Sequence, residues 1–479
     1  MKKVSLFFWI LNLALFIFFF MPNLVRHGMF VDGLWYATLA RNLAEGSGTF
    51  WQPHLTDTFF PVFYSHPPLM FGIQSLFFSL FGDHLFVERL YCLVIALLTI
   101  YSIYFFWRYI FRADPRYRAL SFLPILFWLS NETVYFGYVN NLLECTMGLF
   151  TFWAIFLFYH WSENYGDRGY RPWLKLIAAS ILILFAFLTK GLVGLFPLAL
   201  LGIYWFFFQK MSFLHLVIYT ALISGIVGLC FYLILQIPAA SAYLDGYLDI
   251  QLSHALVGES KENLRTTRLH ILKMLIERSL PVLISTGLLL AYRYRNNQKI
   301  AFGHIERRGL LFIVVGLSGT LPIMITLKQV SYYLIPVLPF FALGFALIVV
   351  PIISKLLIEV RFPPFGRQLS WTLLTLFLVY AIGYGFSQFG KIDKRDRQLL
   401  TDVMLIGEEI QEGQVIGHQL PTVGDMTHCY FARYYHISLD SNNIKYPFLL
   451  TEKGNMPTSE GGYQFIPLST SLFDLYKRQ

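Results

Sequence analysis

The sequence has little charge and little cysteine for its length. Only 14% of its 479 residues are Asp, Glu, Lys or Arg, against about 25% in soluble domains. This deficit excludes a soluble enzyme, a disordered scaffold and a DNA-binding protein, so we expect no nucleic-acid partner. The four cysteines form no CxxC pair and three of them lie in apolar runs, which argues against a disulfide framework or a cysteine metal site.

Apolar and aromatic residues dominate instead. Hydrophobic residues make up 56% of the chain and aromatic residues 18%, with 48 Phe and 29 Tyr. Since a membrane-crossing helix needs roughly 20 apolar residues, the sequence predicts a polytopic α-helical membrane protein with about 11 transmembrane helices. The predicted spans lie near residues 4–21, 85–107, 119–137, 142–160, 173–189, 192–208, 213–236, 279–292, 309–327, 330–350 and 368–389.

Lysine and arginine predict the orientation of these spans. The N-terminus and alternate loops hold roughly twice as many of them as the opposite loops, and basic loops face the cytoplasm. The net charge of +9 is therefore loop charge at a membrane face. We predict a multi-pass protein of the cell (inner) membrane, with two large outer loops at about 23–84 and 237–278 and the C-terminus outside.

A change in composition predicts two domains. Residues 1–390 form the predicted transmembrane domain, and residues 391–479, which have ordinary polarity, form a small extracytoplasmic α/β domain. Short β-like runs at 414–417, 430–434 and 463–466 support the second domain.

The first outer loop contains helical patterns of its own. Residues 34–43 and 69–81 have apolar spacing typical of a helix. Because both segments are short and apolar, we predict amphipathic helices that lie on the membrane surface.

Isolated ionisable residues fall at the predicted outer face. Asp32 follows the first span, Glu144 begins the fourth, Lys190 separates the fifth from the sixth, and Lys328 ends the ninth. Taken singly, Asp32 is typical of a helix N-cap, Lys190 of a tight turn and Lys328 of an interfacial lysine. An ionised group in hydrocarbon costs at least ~2.5 kcal/mol, so together they predict a paired, water-accessible pocket.

The same residues belong to motifs in a characteristic order. The motifs are Asp32 with Trp35-Tyr36-Ala37, His66-Pro67-Pro68-Leu69, Asn-Leu-Leu-Glu144, Thr189-Lys190-Gly191, and Lys328 with Tyr333-Leu334-Ile335-Pro336. In this order they resemble the polyprenyl-phosphate-sugar-dependent glycosyltransferases of the type C fold. That superfamily includes the protein O-mannosyltransferases and the lipid A aminoarabinose transferases. The resemblance covers about residues 1–390.

The resemblance implies an integral membrane glycosyltransferase. It would move a hexose or pentose from a polyprenyl-phosphate donor to an acceptor hydroxyl or phosphate at the extracytoplasmic face. Asp32 corresponds to the catalytic carboxylate, and Glu144 to a second acid that supports the acceptor or the pocket. The chain departs from many relatives at Gly33, where they have a second acid, and from the aminoarabinose branch at His66, where that branch has lysine.

The chemistry of transfer suggests roles for further residues. A base must take the proton of the acceptor, typically contributing 10²–10⁴-fold, and cations must stabilise the departing phosphate. A single displacement predicts inversion at the anomeric carbon. The candidate phosphate-binding residues are Lys328, Lys190, Arg265, Arg268 and His66, and the candidate pocket residues are Tyr36, Arg41, Tyr333 and His254. We also expect the loop at 237–278 to close over the donor.

Several alternatives stay open from the sequence. No cofactor is required, and a divalent metal is compatible with the acids but is not indicated, because no HExxH or outer-loop DxD spacing occurs. The acceptor is a lipid, a glycan or a protein. A polytopic lipid or sugar transporter or flippase is the main rival function, although its polar site would lie near the membrane midplane. A lipid-A-linked polymer ligase or polymerase is a further rival.

Overall fold

The chain divides into two compact units. The structure, a computed structural model, describes residues 2–167, 169–253, 267–296, 303–359, 363–421, 423–441, 446–457 and 462–479. The membrane unit consists of Met1–Pro22, Leu93–Val139 and Leu143–Ser387. The loop–tail unit consists of Asn23–Cys92, Asn140–Leu142 and Gln388–Gln479. Residues 23–84, the first outer loop of the transmembrane domain in our sequence prediction, thus share a unit with the tail.

The first half of the described chain is mostly helical. Apolar runs favour helices in a membrane because a helix pairs its backbone groups within one segment. A small antiparallel pair of strands interrupts them, β1 (Gly48–Thr49) with β2 (Gln52–Pro53). The helices are α1 (Lys2–Leu24), α2 (Val31–Ala44), α3 (Leu69–Phe81), α4 (Val87–Ile110), α5 (Pro115–Arg118), α6 (Phe122–Leu129), α7 (Glu132–Val139), α8 (Leu143–Glu163), α9 (Arg171–Lys190), a 3-10 helix (Leu192–Ala199), α10 (Leu200–Phe208) and α11 (Phe213–Leu235).

The second half continues as helices and ends in a mixed α/β region. Its helices are α12 (Pro238–Tyr247), a π-helix (Leu248–Ser253), α13 (His270–Arg278), α14 (Leu280–Arg295), α15 (His304–Thr320), 3-10 helices (Leu321–Ile325 and Ser331–Leu334), α16 (Leu338–Glu359), α17 (Pro364–Ser387), α18 (Arg397–Glu409) and α19 (Asp425–Tyr435). Its strands are β3 (Val415–His418), β4 (Ser438–Asp440), β5 (Phe448–Glu452), β6 (Tyr463–Ile466) and β7 (Phe473–Arg478).

The described residues contain fewer candidate spans than the 11 predicted. Eight helices are long and apolar enough to cross a membrane, or nine if the bent pair α13–α14 counts as one span. The multi-span helical fold is confirmed, whereas the count of 11 is not. Three of the predicted spans account for the difference.

Each of these three runs is broken or short for a local reason. The run at 119–137 splits into α6 and α7, because the Asn131 side chain accepts the Thr133 N–H at 3.0 Å and so begins a new helix. The run at 192–208 starts as a 3-10 helix that contains Pro197. The run at 279–292 is one arm of a pair bent by 65°.

A five-stranded sheet and two helices form the tail as far as the structure describes it. The strand order is β4-β3-β5-β7-β6, with β3 parallel to both neighbours and β7 antiparallel to both of its own. The predicted α/β character is therefore confirmed, and the strand at 463–466 is found as predicted. The β-like run at 430–434 is instead the second half of α19. Its aromatic residues favour a strand by composition, but Tyr430 and Phe431 are both buried, so they do not alternate across a sheet.

The helix α2 lies within the core of the loop–tail unit. Nine of its 14 residues are buried, and Leu34 shares a cluster with Leu400, Ile416 and Tyr430 of the tail. The prediction that this segment lies on the membrane surface is therefore wrong, because its apolar residues find partners in the tail. In contrast, α3 leaves Leu76, Leu80 and Phe81 exposed.

Candidate active site

Glu144 and Lys190 form a buried ion pair in the membrane unit. The Lys190 Nζ lies 2.6 Å from the Glu144 Oε1, and the two side chains are 9% and 1% exposed. Glu144 is in the first turn of α8 and Lys190 is the last residue of α9. Each charge is thus at the helix end whose dipole favours it. Helix geometry and mutual attraction together stabilise charges that would be costly to bury alone.

Tyr333 completes this group from a third segment. The Lys190 ammonium lies 4.9 Å from the centroid of the Tyr333 ring, within the range of a cation–π interaction. The short 3-10 helix that carries Tyr333 is anchored by the fully buried Leu334 and Ile335. The structure therefore brings together three of the predicted site residues, Glu144, Lys190 and Tyr333.

Gly191 explains the Thr-Lys-Gly motif in physical terms. Its φ of +85° is a conformation that favours glycine. A side chain at this position would also overlap the hydroxyl group of Tyr247. The glycine ends α9 directly after Lys190 and so fixes the lysine at the helix terminus.

Two further predicted cations of the membrane unit lie on its surface. Lys328 and Arg268 are both exposed, and the buried Gln329 makes hydrogen bonds to the backbone of residues near both. Sequence reasoning missed Gln329, because a lone amide in a short connection carries no recognisable motif. The candidates His254 and Arg265 lie outside the described residues.

Asp32 occupies the first turn of α2 in the loop–tail unit and is half-buried. Two consecutive asparagines hold this turn. Asn140 accepts the Phe30 N–H at 2.9 Å, and Asn141 donates to the Gly33 carbonyl at 3.1 Å. Asn141 is itself bound by both ends of the Gln74 amide of α3. The turn is thus fixed by buried side-chain hydrogen bonds.

The same contacts explain why residue 33 is not acidic. A Cβ atom added to Gly33 would overlap the backbone carbonyl of Asn140. The close approach of Asn140 therefore requires glycine at the position where many relatives have a second acid. The backbone here therefore accommodates an acidic side chain at residue 32 but not at residue 33.

Tyr36 and His66 lie together, and Tyr36 is close to Asp32 in the sequence. Tyr36 follows Asp32 by four residues in α2, so both occupy one face of the helix. The Tyr36 and His66 rings are in edge-to-face contact at 6.0 Å, and Tyr36 also contacts Phe71 at 5.6 Å. These residues form a second group of predicted site residues, within the loop–tail unit.

Arg41, predicted as a pocket residue, is buried and hydrogen-bonded to other protein groups. Its side chain is 2% exposed and donates to the carbonyls of Ala432 and Arg433 at the end of α19, and to Asn42. Burial, together with the nearby charge of Arg433, lowers the pKa of Arg41 to about 10. These contacts are those of a residue that caps α19 and joins it to α2.

Arg433 is the centre of an ion-pair network that sequence reasoning missed. Its guanidinium donates to Glu88, to Asp83 at 2.6 Å and to the carbonyl of His84. Burial alone would raise the pKa of Asp83, but hydrogen bonding to His436 and the charges of Arg433 and Arg41 lower it to about 2. The tail offered no motif that would have identified this arginine.

A group of potential metal ligands lies beside this network. Glu45, Asp83 and His436 place one ligand atom each within 4.8 Å of one another, the one such group found among the described residues. However, Arg433 and Arg41 already lie 2.6 and 3.6 Å from Asp83 oxygens. The donor set therefore fits an ion-pair network better than a cation site.

Comparisons with known proteins identify the fold. Residues 65–234 match the family model described as dolichyl-phosphate-mannose-protein mannosyltransferase. No curated protein sequence matches the chain significantly. The structure is similar to ArnT from Cupriavidus metallidurans bound to undecaprenyl phosphate, with a TM-score of 0.66 at 15% identity over 99% of this chain and 98% of that one.

A second, more distant similarity is to an archaeal enzyme. The apo oligosaccharyltransferase of Archaeoglobus fulgidus matches with a TM-score of 0.53 at 12% identity, over 99% of this chain and 74% of that one. The resemblance to type C glycosyltransferases that use polyprenyl-phosphate sugars, inferred from the motifs, is thereby confirmed at the level of the fold.

Proposed function

We propose that this chain, which has the fold of the type C glycosyltransferases, is an integral membrane glycosyltransferase. It moves a hexose or pentose from a polyprenyl-phosphate donor to a hydroxyl or phosphate of a lipid, glycan or protein acceptor. We place the reaction at the extracytoplasmic face of the inner membrane, on the basis of the lysine and arginine bias of the loops.

The main support for the proposal is the set of hydrogen bonds that holds the helix turn of Asp32. Its helix turn is held by Asn140 and Asn141 from a distant part of the chain, and Gly33 admits their close approach. A solvated N-cap aspartate would need no such support. Glu144 follows these asparagines after only two residues, so a single short segment supports one acid and leads to the other.

We assign Asp32 as the general base and Glu144 as the acid that orients the pocket. In the proposed step, Asp32 takes the proton of the acceptor hydroxyl while the acceptor oxygen bonds to the anomeric carbon. The bond from that carbon to the phosphate oxygen breaks, and its electron pair leaves with the polyprenyl phosphate. One displacement of this kind inverts the anomeric carbon.

The buried cation and the exposed cations have different proposed roles. Glu144 neutralises Lys190 at 2.6 Å, so this lysine contributes orientation and an N–H donor more than net charge. Lys328 and Arg268 are exposed cations. We assign to them the stabilisation of the charge on the departing phosphate. One such contact at 4 Å contributes about 4 kcal/mol at an effective dielectric of 20. The pocket candidate Tyr36 and the phosphate-binding candidate His66 belong to the same unit as Asp32.

The test is the conservative change Asp32→Asn. It keeps the shape of the side chain and removes its basicity, so we expect transfer to fall by roughly 10²–10⁴-fold. The matched control is Asp57→Asn, an aspartate of the same region whose side chain is 70% exposed. The polyprenyl-phosphate sugar that accumulates in cells lacking the chain is measured by mass spectrometry after complementation with each variant.

The two results are easy to tell apart. We expect the donor lipid to accumulate with Asp32→Asn and to return to its normal level with Asp57→Asn. Normal donor turnover by Asp32→Asn at normal expression would contradict the enzymatic assignment and favour a transporter.

A further inference from the structure

The Gln329 side chain is a buried amide with a defined set of partners. It is 2% exposed, between the 3-10 helices Leu321–Ile325 and Ser331–Leu334. Its Oε1 accepts the Ile271 N–H at 2.6 Å, and its Nε2 donates to the carbonyls of Arg268 at 3.2 Å and Thr326 at 2.8 Å. Three of the four hydrogen-bonding positions of the amide are thus engaged.

These bonds join the two segments that carry the exposed cations. Arg268 precedes α13 and supplies one of the accepting carbonyls itself. Lys328 is the residue directly before Gln329, and its own carbonyl accepts the Thr326 hydroxyl at 3.2 Å. The backbone at Arg268 and the backbone at Lys328, 60 residues apart in sequence, are therefore linked through one buried side chain.

We propose that Gln329 is a positioning residue that holds Arg268 and Lys328 as a pair for the phosphate of the lipid donor. The inference rests on the proposed function and adds a residue to it. Long cationic side chains lose conformational freedom on binding, and a site whose backbone is already fixed loses less. An apolar residue of the same size would instead leave three backbone groups, that of the buried Ile271 among them, without this partner.

The experiment compares two lipids that differ only in the phosphate. Undecaprenyl phosphate and undecaprenol are titrated into the purified full-length protein in detergent micelles, and each Kd is measured by microscale thermophoresis. For Gln329→Met we expect the Kd of undecaprenyl phosphate to rise about tenfold, as for the loss of a buried hydrogen bond of ~1.4 kcal/mol. The Kd of undecaprenol should change by less than about twofold.

Two further variants control for folding and for size. Gln236→Met removes an exposed amide at the end of α11 and should leave both Kd values unchanged. Gln329→Asn keeps the amide but shortens its reach by one methylene, so it should show the same selective loss in smaller degree. It is also the variant to measure if Gln329→Met does not fold.

A double-mutant cycle separates positioning from mere stability. In the Arg268→Met/Lys328→Met background, Gln329→Met should have no further effect on the Kd of undecaprenyl phosphate. A full tenfold loss in that background, or equal losses for both lipids, would overturn the inference and leave Gln329 a structural residue. Equal affinity of the unmodified protein for both lipids would instead count against the proposed donor.

Discussion

The two units bury their charges in different ways. In the membrane unit, Lys190 has one acidic partner, Glu144, and an aromatic ring above its ammonium. In the loop–tail unit, Arg433 makes four hydrogen bonds to two carboxylates and a carbonyl, so four of its five N–H groups are engaged. Burial of charge alone does not mark a catalytic residue. The number of protein partners separates a group that has donors left for a substrate from one that does not.

The largest effect should follow from Arg433→Met. The change leaves Glu88 and Asp83 without their main partner, and removal of one member of a buried ion pair costs about 3–5 kcal/mol. We expect a loss of this size in the free energy of unfolding, measured by thermal denaturation. The control is Arg397→Met, which removes an exposed arginine of the same unit. A similar loss of unfolding free energy in the control would show that the network does not contribute specially to stability.

A smaller but more informative effect should follow at Glu144 and Lys190. Either single change, Glu144→Gln or Lys190→Met, leaves one buried partner alone and should lower stability by ~3 kcal/mol and abolish transfer. The double variant should recover much of the stability but none of the transfer, since the pair is required for the proposed chemistry. Recovery of transfer by the double variant would show that the pair is structural, like the Arg433 network.

The smallest effect should appear in the pH dependence of stability. The pKa of Asp83 is lowered to about 2 in the folded state, below its ordinary value near 4. Asp83 therefore stabilises the fold above about pH 4, and this contribution is lost as the pH falls from about 4 towards 2. Thermal melting of Asp83→Asn should vary less over that window than melting of the unmodified protein, and Asp57→Asn should vary as the unmodified protein does.

Much of the fold and part of the site follow from the sequence. Apolar runs locate the long helices because hydrophobic length is a strong signal, and a lysine followed by glycine marks the end of α9. In contrast, the contacts of Arg41 do not follow from the sequence, since nothing local distinguishes a substrate ligand from an arginine that caps α19. Arg433 and Gln329 were missed because their partners lie far away in sequence and no motif announces them.

The wrong strand prediction in the tail has a similar cause. The run at 430–434 is aromatic enough to suggest a strand, yet its burial is decided by residues of α2 and α18 that pack on it. Tertiary contacts of this kind override local propensity.

The core shared by residues 23–92 with the tail also has a consequence for biosynthesis. α2 leaves the ribosome long before α19, which packs on it. At about 5–20 residues per second, the intervening chain takes roughly 20–75 seconds to translate. During that interval the helix that carries Asp32 lacks its packing partners in the tail, and a nascent chain that stops before α18 would never supply them. Maturation of the proposed base thus awaits synthesis of the tail.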